Sequence, residues 1–157
     1  MRFIKLFLLS IMVFFIILTC ISLLIPSHIR IAKATDINAS ADKVFSFIKD
    51  TTKWSIWHPT YGPANSSASL SNRTTQLKII KNTDSTFILN FEAGKRTVAN
   101  SWQVYQFPQN RSLTLQWYMD FKLRWYPWEK FSSLLFKKTY GAMMEQGLEN
   151  IKKVSEE

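Results

Sequence analysis

The sequence predicts an α+β fold, an antiparallel sheet covered by one long C-terminal helix, behind a single N-terminal transmembrane helix. Three observations predict it. Leu6 to Ile25 is an apolar run without a charge. Leu113, Leu115, Trp117, Met119, Phe121 and Leu123 alternate with Ser112, Thr114, Gln116, Tyr118, Asp120 and Lys122, the period of a strand with one wet and one buried face. Near the end, Leu134, Tyr140, Met144, Gly147, Leu148 and Ile151 recur at helical spacing, while Lys137, Lys138, Glu145, Glu149, Lys152 and Lys153 take the opposite face.

The 157 residues suffice for one domain. Residues 1–28 form the membrane segment and 29–157 the domain. A helix of about 20 residues spans roughly 30 Å, the thickness of a bilayer core. Arg2 and Lys5 precede the run, and Pro26, Ser27, His28 and Arg30 end it. An uncleaved anchor competes with two other readings. A cleaved signal peptide lacks a small-x-small site after the apolar run. A lipoprotein signal at Cys20 has Thr19 where a small residue is usual, and the apolar run continues beyond the cysteine. The positive-inside rule sets Arg2, Lys5 and the amino terminus against Arg30 and Lys33, and the short basic tail favours the amino terminus inside and the domain on the extracytoplasmic side.

Ile29 to Ile37 reads as the first strand. Ser40 caps a short helix with Asp42 in its first turn and an apolar face of Val44, Phe45, Phe47 and Ile48. Thr51 or Thr52 starts a second short helix that carries Trp54 and Trp57 and stops at Pro59. Tyr61 to Thr74 is rich in Ser, Asn, Gly and Pro and reads as a long loop. Thr75–Lys81 and Ser85–Glu92 form a hairpin through Asn82-Thr83-Asp84. Further strands over 97–107 and 111–123 follow, and the final helix over about 131–154. An antiparallel sheet with one buried face needs a cover, and that helix is the one element long enough to supply it.

Several functional classes lack their signatures. The lone cysteine, Cys20, allows no disulfide framework and no CxxC zinc site. No Gly-x-Ser-x-Gly, His-Glu-x-x-His or phosphate-loop motif occurs, so no metal or cofactor is expected. The net charge of +9 suits anionic lipid or an acidic partner, but no motif joins it to nucleic acid, which is not an expected partner. His58, beside Trp57, sits where a general base at a pocket edge would sit, and the plainer reading is a partly exposed histidine before a proline turn. Glu92 and Asp120 lie opposite the apolar strand faces, where solvent exposure is expected.

Three stretches carry a family resemblance. Asp36-Ile37-Asn38-Ala39-Ser40-Ala41-Asp42-Lys43-Val44-Phe45 is similar to a strand-to-helix I-x-A-x-x-x-x-V-F/W. Lys53 to Pro59 is similar to W-x-x-W-x-P, and Met144 to Lys152 to a closing F-E-x-G-L-x-N-L-K. In this order they resemble the SRPBCC (START-like, Bet v 1-like) superfamily, most closely its polyketide cyclase/dehydrase and lipid transport branch, over about residues 29–155. The resemblance implies a helix-grip fold, a curved sheet wrapped around the C-terminal helix, and a pocket for a hydrophobic small molecule or lipid. Candidates to line it are Trp57, His58, Phe87, Leu89, Phe91, Trp102, Val104, Leu115, Trp117, Met119, Tyr140, Met144 and Leu148. The same side chains can equally fill a core. Lys122, Arg124, Trp125, Tyr126, Trp128 and Lys130 form a basic aromatic cluster of the kind found at membrane interfaces. The expected function is therefore binding of an apolar molecule at a membrane. The alternatives are a cyclase- or hydratase-type enzyme using His58 or a pocket acid, and a protein-interaction domain with no ligand.

Overall fold

The computed structural model describes residues 2–62, 75–93, 96–106 and 112–157. Helix α1 (Arg2–Leu23) leads through four residues into β1 (His28–Ile37). Helices α2 (Ala41–Lys49) and α3 (Trp54–Trp57) follow, with a 3-10 turn over Thr51–Lys53 between them. Strands β2 (Thr75–Asn82), β3 (Thr86–Ala93), β4 (Arg96–Gln106) and β5 (Leu113–Lys122) complete the sheet. Helices α4 (Pro127–Ser133) and α5 (Phe136–Glu156) close the chain. The expected loop lies outside the described residues from position 63 onward, as do residues 94–95 and 107–111, where the expected strands over 97–107 and 111–123 meet.

The sheet is antiparallel throughout, in the order β1-β5-β4-β3-β2. Its apolar face is organised in rungs that cross the strands. One runs Lys33, Trp117, Trp102, Phe87; the next Ile31, Met119, Asn100, Leu89; the last Ile29, Phe121, Val98, Phe91, Leu77. The last rung lies at the end where α1 enters, because His28 pairs with Lys122. α5 covers the β1 side of this face, and Lys33 of β1 makes an ion pair with Glu145. On the opposite face Asp120 receives Nε of Arg30 at 2.7 Å, as strand alternation requires.

Local chemistry explains the short elements. Ser40 Oγ faces the Lys43 amide at the start of α2, and Asp50 Oδ1 accepts from the Thr52 amide at 3.0 Å. The indole N–H groups of Trp54 and Trp57 donate to the carbonyls of Ile48 and Phe47, at 2.8 and 3.0 Å, which ties α3 to α2. Asn150 Nδ2 donates to the Trp57 carbonyl at 3.0 Å and ties α3 to α5.

Two expectations are corrected. The C-terminal helical segment begins at Pro127, which is well suited to a first helical turn. It is also broken at Leu134 and Leu135, so the long helix starts at Phe136. Leu134, expected on the apolar stripe, is 64% exposed. His58, expected at a partly exposed edge, is 4% exposed.

Candidate functional site

Among the described residues, side chains of the sheet, α3 and α5 pack together at the centre of the grip. Trp54, Trp57, Trp102 and Trp117 are all buried, with ring centroids 5.4–6.4 Å apart in mostly tilted or edge-on pairs. Phe87 and His58 extend the cluster, the imidazole stacking on Trp54 at 5.4 Å. Gly147 of α5 lets the helix settle on this floor: a Cβ there would meet Trp117 Cζ3 at 2.8 Å and Pro59 Cδ at 3.1 Å. Leu89, Val104, Leu115, Met119, Met144 and Leu148 are buried around the rings. Trp57, His58, Phe87, Trp102, Trp117 and these six are neighbours that occupy the sheet–helix interval.

Polar groups inside the cluster are few. Trp117 Nε1 donates to the buried Asn100 Oδ1 at 3.0 Å. The Trp102 indole N–H has no acceptor among the described residues. His58 Nδ1 accepts from the Thr60 amide at 3.2 Å, and burial pushes the imidazole pKa down to about 3. His58 is therefore neutral across the physiological range, held in an aromatic box and far too weak a base for proton transfer near neutrality.

Open space lies at the α1 end of the sheet. A cavity of about 110 Å³ is bounded by Thr97 and Val98 of β4 and Phe121 and Lys122 of β5. Leu123, Arg124, Glu129 and Ser132 wall one side, and Phe136 and Tyr140 of α5 form the roof. Phe121 stands 4.9 and 4.7 Å from the Phe136 and Tyr140 rings. Along the same rung Val98, Phe91 and Leu77 are only half-buried. Of the anticipated lining residues, Tyr140 borders this cavity and Phe91 lies on its rung. Val98, Phe121 and Phe136 were missed. Phe121 was visible in the strand pattern, but only the β4–β5 register sets it beside Val98. Among the described residues, no three His, Cys, Asp or Glu side chains converge in a metal-binding group.

The basic aromatic cluster divides. Trp125 and Trp128 are 64% and 60% exposed, and Tyr126 stacks on Trp128 at 4.8 Å. Lys122 is exposed and Arg124 half-buried beside the cavity. Lys130, expected to face lipid headgroups, is instead 3% exposed. Its ammonium donates to the Ile25 carbonyl and, at 2.8 Å, to Ser27 Oγ, because α4 lies against the exit of α1.

Residues 28–156 match the family model described as polyketide cyclase / dehydrase and lipid transport. The chain belongs to that family. Solved structures share the family fold at low identity. The di-domain ARO/CYC protein StfQ from the steffimycin biosynthetic pathway superposes with a TM-score of 0.61 at 9% identity, over 82% of this chain. The chain spans only about half (51%) of that di-domain protein. A START superfamily protein from Mycobacterium smegmatis gives 0.57 at 14% identity, over 81% of this chain and 97% of its own. XoxI from Bacillus cereus gives 0.54 at 12%, over 83% and 96%. No curated protein matches. The added feature at the N-terminus is α1, in which Phe3–Leu23 is long and apolar enough to cross a membrane.

Proposed function

We propose that this chain is a membrane-tethered member of the polyketide cyclase/dehydrase and lipid transport family that binds an apolar molecule, or the apolar part of a lipid, at the α1 end of its sheet. The observation that carries the reading is the cavity between Val98, Phe121, Phe136 and Tyr140, beside the point where the apolar helix enters the domain. At about 110 Å³ it is somewhat smaller than an engineered apolar cavity of about 150 Å³ that takes up benzene. It suits one ring or the end of one chain, with the rest of the ligand outside. Lys122 at the rim favours a ligand whose outer part is anionic.

Retention of α1 as an anchor is supported by its packing on α4 and by the Lys130 contact to Ile25, both of which cleavage after the apolar run would remove. Arg2 and Lys5 favour a cytoplasmic amino terminus and an extracytoplasmic domain. Against His58 as a catalytic base stands its neutral, enclosed state.

The test uses the full chain in phosphatidylcholine nanodiscs doped with a phospholipid carrying a photoactivatable acyl chain. Cross-links are expected at residues 97–98, 121–122 and 136–140, outside the exposed 123–135 corner, as well as in α1. Val98→Trp, which fills the cavity, should cut the cavity-peptide labelling about tenfold and leave α1 labelling as an internal control. Equal labelling of the filled variant ends the proposal.

A further inference from the structure

The corner from Leu123 to Leu135 leaves large apolar side chains uncovered. Trp125, Trp128, Leu134 and Leu135 are 64%, 60%, 64% and 65% exposed, in a domain whose other tryptophans are at most 1% exposed. Leu134 and Leu135 occupy the break between α4 and α5. What covers them is indicated by their position relative to α1. Most of α1 is bare, and it is covered only near its end, where Leu18 and Thr19 are half-buried and Ser22 fully buried. The element packed there is α4. From Leu18 to Leu23 the helix rises about 7 Å. An element that covers Leu18 of a membrane-spanning helix therefore sits about 7 Å below the helix end, the depth at which interfacial helices bury their apolar side.

We propose that α4 and its flanking residues form a wedge in the headgroup–acyl boundary of the same bilayer that α1 spans, pinned by Lys130. The proposal rests on the tethered reading above and adds a fixed pose to it. Lys130 joins α4 to the Ile25 carbonyl and the Ser27 hydroxyl at the α1 exit, and the Leu123 amide donates to the Ser27 carbonyl at 2.7 Å. The tether is thus short and doubly fastened. The domain cannot swing on it, and the cavity rim at Lys122 is held at headgroup depth, so that its ligand enters from the bilayer and not from water. Trp and Leu with a neighbouring cation are the residue types that this boundary selects.

The tryptophans make the proposal measurable. The full chain is reconstituted in vesicles of phosphatidylcholine with bromine on the acyl carbons nearest the headgroup, and in unbrominated vesicles. Bromine should quench Trp125 and Trp128 and leave the four buried indoles emitting, a fall of up to about a third for two of six tryptophans. Trp125→Phe with Trp128→Phe should abolish the difference between the two lipids. Lys130→Met should reduce the quenching at least twofold while α1 stays resistant to carbonate extraction. If that variant misfolds by near-ultraviolet dichroism, Ser27→Ala, which removes one acceptor, should give a smaller loss. Extraction by carbonate would overturn the tether and the wedge together. An inserted chain with equal emission in both lipids would overturn the wedge alone, and unchanged quenching in both clamp variants would overturn the pinning.

Discussion

The imidazole of His58 is enclosed by the rings of Trp54, Trp57, Tyr61 and Trp117, at centroid distances of 4.8–5.4 Å. Its folded pKa, about 3, lies below the unfolded value of 6.5, so on acidification the unfolded chain takes up this proton first. Stability is fully present above pH 6.5 and falls as pH drops toward 3, by about 1.4 kcal/mol per unit inside that window. Urea titrations between pH 7 and 4 should show this slope, and His58→Phe should flatten it. Gly147→Ala sets two terms against each other. Alanine favours the helix by about 1 kcal/mol, but its Cβ would press a fully buried Trp117 ring at 2.8 Å. The ring has nowhere to go, so a net loss of about 1–2 kcal/mol is expected in thermal or chemical unfolding. Asn100→Leu keeps the volume but strands the Trp117 indole N–H in the core. A cost of about 1–3 kcal/mol is expected, read by the same unfolding. None of these environments follows from the residue's own neighbours in the chain. His58 before Pro59 reads as an edge, and only the packing of α3 and Tyr61 on Trp117 of β5 buries it.

Between elements, α3 is held from two sides, by indole donors into α2 and by Asn150 of α5 on the Trp57 carbonyl. Asn150→Ala should cost about 1 kcal/mol and speed hydrogen exchange at α3 before it does so in the strands. The strands were legible in the sequence because period two survives any tertiary arrangement: β5 spans Leu113–Lys122, inside the range its alternation indicates. The C-terminal helices were legible from Tyr140 onward. Met144, Gly147, Leu148 and Ile151 face the core as their spacing requires. Leu134 fits that periodicity by chance. Pro127 restarts the helix and the break at 134–135 rotates Leu134 out of phase, which a periodicity count extended through a break cannot register.

In the whole molecule, α1 touches the domain mainly through α4, so the sheet, α2, α3 and α5 do not depend on it for their core. A chain of residues 24–157 keeps Ile25 and Ser27 for Lys130 and should retain the near-ultraviolet dichroism of its tryptophan cluster. It should also self-associate in the absence of lipid or detergent, because Trp125, Trp128, Leu134 and Leu135 stay uncovered. Sedimentation velocity with and without mild detergent checks this, and a monomer in plain buffer would count against an apolar surface that needs a cover. The sequence by itself determined the layers: hydrophobic periodicity is a local property, and it dictates which residues make strands, which make the covering helix and which run is apolar enough for a bilayer. The family motifs added the order in which the layers wrap. What only the tertiary structure decided is where space remains. A cavity is the difference between the volume the backbone encloses and the volume the side chains fill, and the same Trp and Met residues can produce either outcome. Here four tryptophans and a glycine pack the centre, and among the described residues a cavity stands at the end of the sheet where α1 enters.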